Sequence, residues 1–156
     1  EPDYETIGTL GLLADATPIE NGEYLIVVRG LVRSRLYEIP SRSVYRIALV
    51  RPIVEEGLDE VDTEESRTLY STVLQLFSAL SSNFGDNATK IAAVVMTAPN
   101  RRTRIDRMAS VFLTDPHWRQ IFLEAREIPE RLAILQDAMA TTLGLASSQT
   151  NGSPLN

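Results

Sequence analysis

The sequence predicts an α+β fold in two parts: an incomplete β layer of about three strands, followed by a bundle of four to five helices. Two periodicities carry this. As far as residue 54 the apolar residues recur at a spacing near two, and beyond residue 62 they recur at three and four. Composition agrees: 44% hydrophobic and 23% charged residues over 156 positions suit one globular domain and are too apolar for a disordered chain. The expected divisions are 1–54 for the β part, 55–143 for the helical part and 144–156 for a disordered polar tail.

A first strand is expected over residues 6–15. Pro18 and Glu20-Asn21-Gly22 follow, and Asn-Gly is a hairpin signal because such tight turns need positive φ. A long strand over 23–38 places Tyr24, Ile26, Val28, Val32 and Leu36 on one face and Arg29, Arg33 and Arg35 on the other. Gly30 inside this run marks a bulge or a tight bend. Ile39-Pro40-Ser41 turns the chain into a third strand over 44–54. Three strands cannot close a barrel and leave unpaired edges.

Residues 55–62 are acidic and read as a loop, and Asp62 or Thr63 with Glu65 behind it starts a helix. Leu69, Val73, Leu76, Phe77 and Leu80 form its apolar stripe. Asn83-Phe84-Gly85-Asp86 ends that helix and caps the next, whose run over 91–96 is apolar nearly all round and is expected to be the most buried. Pro99-Asn100 breaks the chain before a third helix with Ile105, Met108 and Phe112 on one face. Thr114-Asp115-Pro116 starts a fourth, with proline at its first position and a short stripe of Trp118, Ile121, Phe122 and Ala125. The last helix begins near Pro129 and buries Ile128, Leu132, Leu135, Met139 and Leu143. From Gly144 onward polar and small residues dominate.

The charge balance narrows the function. Fifteen Lys+Arg against 21 Asp+Glu give a net charge of -6, a balance that disfavours a binder relying on phosphate neutralisation. With no cysteine, disulfides, thiolate zinc sites and cysteine nucleophiles are excluded. A single histidine, His117, excludes a His-pair metal site and leaves one ordinary general base. No apolar run approaches the ~20 residues of a membrane span. The acidic, polar start Glu1-Pro2-Asp3-Tyr4 shows neither a signal peptide nor an initiator methionine. A cytoplasmic protein is expected, either processed or a piece of something longer.

The carboxylates Glu55, Glu56, Asp59, Glu60 and Asp62 read as a solvated loop and helix cap, and they lack the alternating spacing and central glycine of a calcium loop. His117, between Pro116 and Trp118, reads as a first-turn residue, at the surface or half-buried. Trp118 suits core packing better than a partner anchor. Arg101, Arg102, Arg104 and Arg107 concentrate positive charge. They read first as a solvated helix face, with Asp106 placed to pair with Arg102, and second as a contact for an acidic partner or a phosphate backbone. Phosphate-loop, dinucleotide, zinc-protease and hydrolase-elbow motifs are all absent, so the residues argue against an enzyme.

Ile7-Gly8-Thr9-Leu10, the Asn-Gly turn and Gly30-Leu31-Val32-Arg33-Ser34-Arg35 together resemble the N-terminal substrate-binding domain of Lon proteases, with its (V/I)-G-T strand, hairpin and G-x-x-R-x-R strand end. Tyr45-Arg46-Ile47-Ala48-Leu49-Val50 resembles the strand that follows. Asp115-Pro116, Arg119-Gln120-Ile121-Phe122-Leu123-Glu124 and Pro129-Glu130-Arg131-Leu132 are similar to its later helices, in the same order, as far as Leu143. The family domain normally begins with two more strands and a helix bearing an L-F-P motif, which nothing here matches. The resemblance therefore implies a bacterial-type, stand-alone domain without ATPase or peptidase modules, truncated at its front. The proteolytic Ser-Lys pair belongs to the absent peptidase module, and Lys90 is not its lysine.

The resemblance implies a PUA-like β pseudo-barrel with a helical bundle, surfaces that contact unfolded or tagged polypeptides, and no cofactor. The expected role is non-catalytic recognition of polypeptide substrates or a partner protein for proteolysis or quality control, through apolar surface at the sheet or at a groove between sheet and bundle. Partner-binding candidates are Arg29, Arg33, Arg35, Arg101, Arg102, Arg104 and Trp118. Two alternatives remain. One is a PUA-like RNA-binding module, which needs those arginines to merge into one patch. The other is an enzyme built on His117. An open sheet edge also allows self-association.

Overall fold

A computed structural model of the chain describes residues 3–53 and 63–150, with side chains as far as residue 144. The acidic residues Glu55, Glu56, Asp59, Glu60 and Asp62 lie outside the described residues, as do 151–156 of the expected tail. The chain forms two compact units, Glu1–Glu56 and Gly57–Asn156.

The first unit is a three-stranded antiparallel sheet. Strands β1 (Ile7–Pro18) and β2 (Tyr24–Ile39) are joined through a single 3₁₀ turn at Glu20–Gly22. There Asn21 takes φ 66° and Gly22 φ 76°, the left-handed conformations that Asn and Gly adopt at least cost. Strand β3 (Ile47–Pro52) pairs with the other side of β2, so the order is β1-β2-β3, with β1 and β3 as the edges. β3 is shorter than its apolar pattern implies: residues 44–46 belong to the loop before it.

The β1–β2 register breaks between Leu10 and Gly11 and again between Leu13 and Asp15. At the first break Leu10 faces Val32 while Gly11 faces Gly30, leaving Leu31 as the extra residue of a bulge on β2. This is the bulge that Gly30 marks in the sequence, and it corrects the expected face assignment. Ile7, Thr9, Gly11 and Leu13 alternate onto one face of β1, and their partners are Arg35, Arg33, Gly30 and Val28. Arg29 pairs with Leu12 and lies on the opposite face. The three arginines do not share a side, because one inserted residue reverses the parity of everything before it. A Cβ at Gly11 would stand 2.4 Å from Val28 Cγ1, so glycine there makes room for the valine across the ladder.

Tyr4 and Arg46 brace the far end of β2. The Glu38 backbone N–H donates to Tyr4 Oη at 3.1 Å, and Arg46 donates from Nε and Nη2 to the two Glu38 carboxylate oxygens at 2.6 and 2.8 Å. The Arg46 guanidinium also lies 4.5 Å from the Tyr4 ring centroid. The bidentate hydrogen bond from Arg46 holds the Glu38 carboxyl below the usual glutamate range.

The second unit contains α1 (Glu64–Ser81), α2 (Ala88–Met96), α3 (Arg101–Phe112), α4 (Pro116–Glu124) and α5 (Ile128–Thr150). Three helices start on a side-chain cap. Thr63 accepts from Ser66 N–H, Asn100 from Thr103 N–H and Asp115 from His117 N–H, with Pro116 in the first turn of α4. Between α1 and α2 a 3₁₀ segment, Ser82–Asn87, bends at Gly85 (φ 52°, ψ -128°). Asp86 falls inside that segment, and Asn87 stands at the cap position of α2 without a side-chain hydrogen bond.

The stripes of α1, α3, α4 and α5 meet in one core, with Val73, Ile105, Met108, Leu132, Leu135 and Met139 fully buried. The expectation that α2 is the most buried helix is overturned. Val95 is its one buried residue, while Val94 is 57% exposed and Lys90 is exposed as well. A nine-residue helix on one side of the bundle turns only a narrow stripe inward, however apolar its remaining faces. The most buried helix is α5, and its backbone continues to Thr150, past the Leu143 end that its stripe suggests.

Arg131 is fully buried in this core. Its Nε donates to the Ala125 carbonyl at 3.1 Å, its Nη1 stands 3.6 Å from Asp106 Oδ1, and its guanidinium lies 5.9 Å from the Phe122 ring centroid. Burial pulls the Arg131 pKa below the arginine range, against the opposing pull of Asp106 and Glu130. Asp106, expected to pair with Arg102 on its own helix, acts electrostatically on Arg102 and also faces an arginine from α5.

Two predictions follow from these contacts. In an NMR titration, Glu38 protonates below the ordinary midpoint of about 4.3, and Arg46→Gln moves its midpoint upward. Because the folded-state value is depressed, the stabilisation is present above the unfolded pKa and is lost as pH falls through the folded one. In denaturant melts, Leu135→Ala costs about 2–5 kcal/mol, whereas Val94→Ala on the exposed side of α2 costs under ~1 kcal/mol.

Candidate functional site

The two sheet faces differ. On the face of Ser34, that serine is fully buried and Val32, Leu36, Ala48 and Val50 are half-buried, so only its hairpin end is open. The other face is accessible at its two ends, while Arg33 and Arg35 in its middle are half-buried. At the hairpin end it carries Leu13, Tyr24, Ile26 and Val28, each more than half exposed. In the middle stand Arg33, Arg35 and Arg51, and at the far end Tyr37, Ile39, Ile47 and Leu49. Ile7, also in the middle, is buried.

Local sequence explains this surface. Residues 24–28 are five consecutive apolar residues, so alternation puts hydrophobic side chains on both sides of β2. Such a run belongs to a strand covered on both faces, yet Leu25 and Val27 on the other side are likewise more than half exposed. The outer edge of β1 is equally bare of charge: over Ile7–Pro18 its one ionisable residue is Asp15.

The other candidates fall elsewhere. On α3, Arg104 donates to Tyr70 Oη at 3.0 Å and to the Met96 carbonyl at 3.4 Å, while Arg107 donates to the Val94 carbonyl. These bonds satisfy carbonyls in the last turn of α2, a turn with no basic residue of its own. Arg101 stacks over the Tyr70 ring at 4.9 Å. Arg102 is half-buried, its pKa lowered by burial and by nearby Arg131. Trp118 is half-buried against the bundle core, and His117 is exposed at the start of α4.

A recess of about 440 Å³ opens inside the β2–β3 loop, lined by residues that include Pro40, Ser41, Ser43 and Tyr45. Its serines share it with Glu38, whose carboxylate is held by Arg46. Among the described residues no group of three or more His, Asp or Glu converges as a metal site, and no helix is long and apolar enough to cross a membrane.

Of the residues singled out from sequence, the structure brings Arg33 and Arg35 together on one face and leaves Arg29 on the other. Sequence reasoning missed Arg51 and Tyr37. Arg51 pairs directly with Arg35 across β2 and β3, and its guanidinium sits 5.4 Å from the Tyr37 ring centroid. The signal was the β2–β3 turn: counting outward from it at equal steps sets residue 51 opposite residue 35.

Comparison with known proteins gives a consistent result. The family model of the ATP-dependent protease La (LON) substrate-binding domain matches residues 1–141. Among solved structures, the N terminal domain of Mycobacterium avium complex Lon protease superposes with a TM-score of 0.71 at 20% identity, over 90% of this chain and 73% of that one. At that identity the likeness is one of fold. No curated protein matches the chain by sequence.

Proposed function

Because the chain belongs to the ATP-dependent protease La (LON) substrate-binding domain family, we propose that it captures extended polypeptide segments for proteolysis or quality control without transforming them, and that it does so on the open face of the sheet. The observation that carries this reading is the row of Leu13, Tyr24, Ile26 and Val28, apolar and more than half exposed. Contiguous apolar surface of this kind marks interaction sites in soluble domains. An unfolded polypeptide offers what such a surface lacks, apolar side chains repeating every second residue when the chain is extended. The unpaired backbone of β1 adds main-chain hydrogen bonds to a strand laid along it, so affinity need not depend on one sequence. The helical unit holds itself together through its own core. A cytoplasmic setting fits the same role.

The test is chemical-shift mapping with an extended, apolar ten-residue peptide. The expected result is perturbation of β1 and the first half of β2, weakened about tenfold by Ile26→Lys. Ile26 is exposed, so the variant keeps its fold. Perturbations confined to the helices, or full affinity in the Ile26→Lys variant, overturn the assignment.

A further inference from the structure

Between its two exposed ends the same sheet face carries half-buried Arg35 beside exposed Arg51, a charge arrangement that cross-strand packing does not account for. Arg35 on β2 and Arg51 on β3 are directly opposite each other. Like charges in that position destabilise an antiparallel pair. Arg33 occupies the same face two residues from Arg35. The neighbours set around them by register are Ile7, Thr9, Tyr37 and Leu49, none of them acidic. Glu38, the one acidic residue of β2, pairs with Ala48 on the opposite face and is already held by Arg46. Among the described residues no carboxylate forms an ion pair with Arg35 or Arg51.

The arrangement is oriented as well as charged. The Arg51 guanidinium rests near the Tyr37 ring, and such stacking leaves the N–H fork free to meet acceptors in its own plane. That fork matches a carboxylate, which accepts two parallel bonds. Exposed apolar side chains flank the arginines on both sides: Leu13, Ile26 and Val28 toward the hairpin, and Ile39, Ile47 and Leu49 toward the β2–β3 loop. A segment laid along β2 therefore meets apolar, then cationic, then apolar surface.

We propose that the Arg35–Arg51 pair is a carboxylate-recognition site, and that the preferred ligand is an extended polypeptide segment with one or two acidic residues between apolar flanks. The carboxylate replaces repulsion between two guanidiniums with a shared counter-charge, and charge complementarity sets the register of the segment on the face. This inference rests on the reading of the sheet as a polypeptide-binding surface and adds a selectivity to it.

Two fluorescent peptides with identical apolar flanks, one with a central Glu-Asp and one with Gln-Asn, separate the two claims by anisotropy titration. The expected result is about tenfold tighter binding of the acidic peptide, with the preference declining as salt rises and disappearing in Arg51→Gln. Arg51 is exposed and opposes another arginine, so this variant should melt no lower than the parent. Equal binding of both peptides overturns the carboxylate site and leaves the sheet reading intact. A preference that survives in both Arg51→Gln and Arg35→Gln also overturns it. Binding of neither peptide removes the sheet reading and this inference together. Tighter, Arg51-dependent binding of a single-stranded RNA oligomer than of the acidic peptide overturns it in favour of phosphate recognition.

Discussion

A sheet of three strands has two edges and two faces, and here the strand between the edges carries apolar side chains on both sides over residues 24–28. Within the sheet each of those residues has one cross-strand partner on β1 and, at that end of β2, none on the other side, because β3 pairs only with residues 34–39. The hairpin is therefore held by its ladder and turn while much of its hydrophobic surface stays in contact with water. Burying that surface is the free energy left unspent in the folded chain. The functional reading follows from where that surface is and from what could cover it.

The helical unit contrasts with this. Its apolar stripes converge, three of its helix starts are capped, and several of its arginines are engaged internally. Arg104 and Arg107 close the end of α2, and Arg131 is enclosed among Asp106, the Ala125 carbonyl and the Phe122 ring. An arginine cluster that reads from sequence as a docking patch is here a device for holding helices together. The cross-strand pair Arg35–Arg51 on the sheet has no duty of that kind among the described residues. Polypeptide capture needs such a division, a rigid part that stays folded and a surface that stays unsatisfied until a ligand arrives.

Much of the architecture was legible because it is written in local chemistry. Asn21-Gly22 specified the hairpin, Asp62 or Thr63 and Asp115-Pro116 specified helix starts, Pro99-Asn100 specified a break, and the stripes of α1, α3, α4 and α5 named their own core residues. What escaped was non-local. Gly30 signalled a bulge, but its effect on Arg29 depends on which strand holds the extra residue, and only the pairing decides that. The apolar run of α2 suggested burial, yet burial depends on how many neighbours a helix has. Tyr24, Ile26 and Val28 looked like a buried face because alternation identifies a face without identifying what lies against it. Arg51 drew no notice because its meaning comes from Arg35, sixteen residues earlier in the chain.

Hydrogen exchange of the sheet amides in the presence of a permanently unfolded polypeptide, such as a reduced and alkylated protein, tests the central claim most directly. Capture on the sheet predicts slower exchange along β1 and the first half of β2, with the helices from α1 to α4 unchanged. Protection confined to the helices, with the sheet exchanging as it does alone, would contradict it.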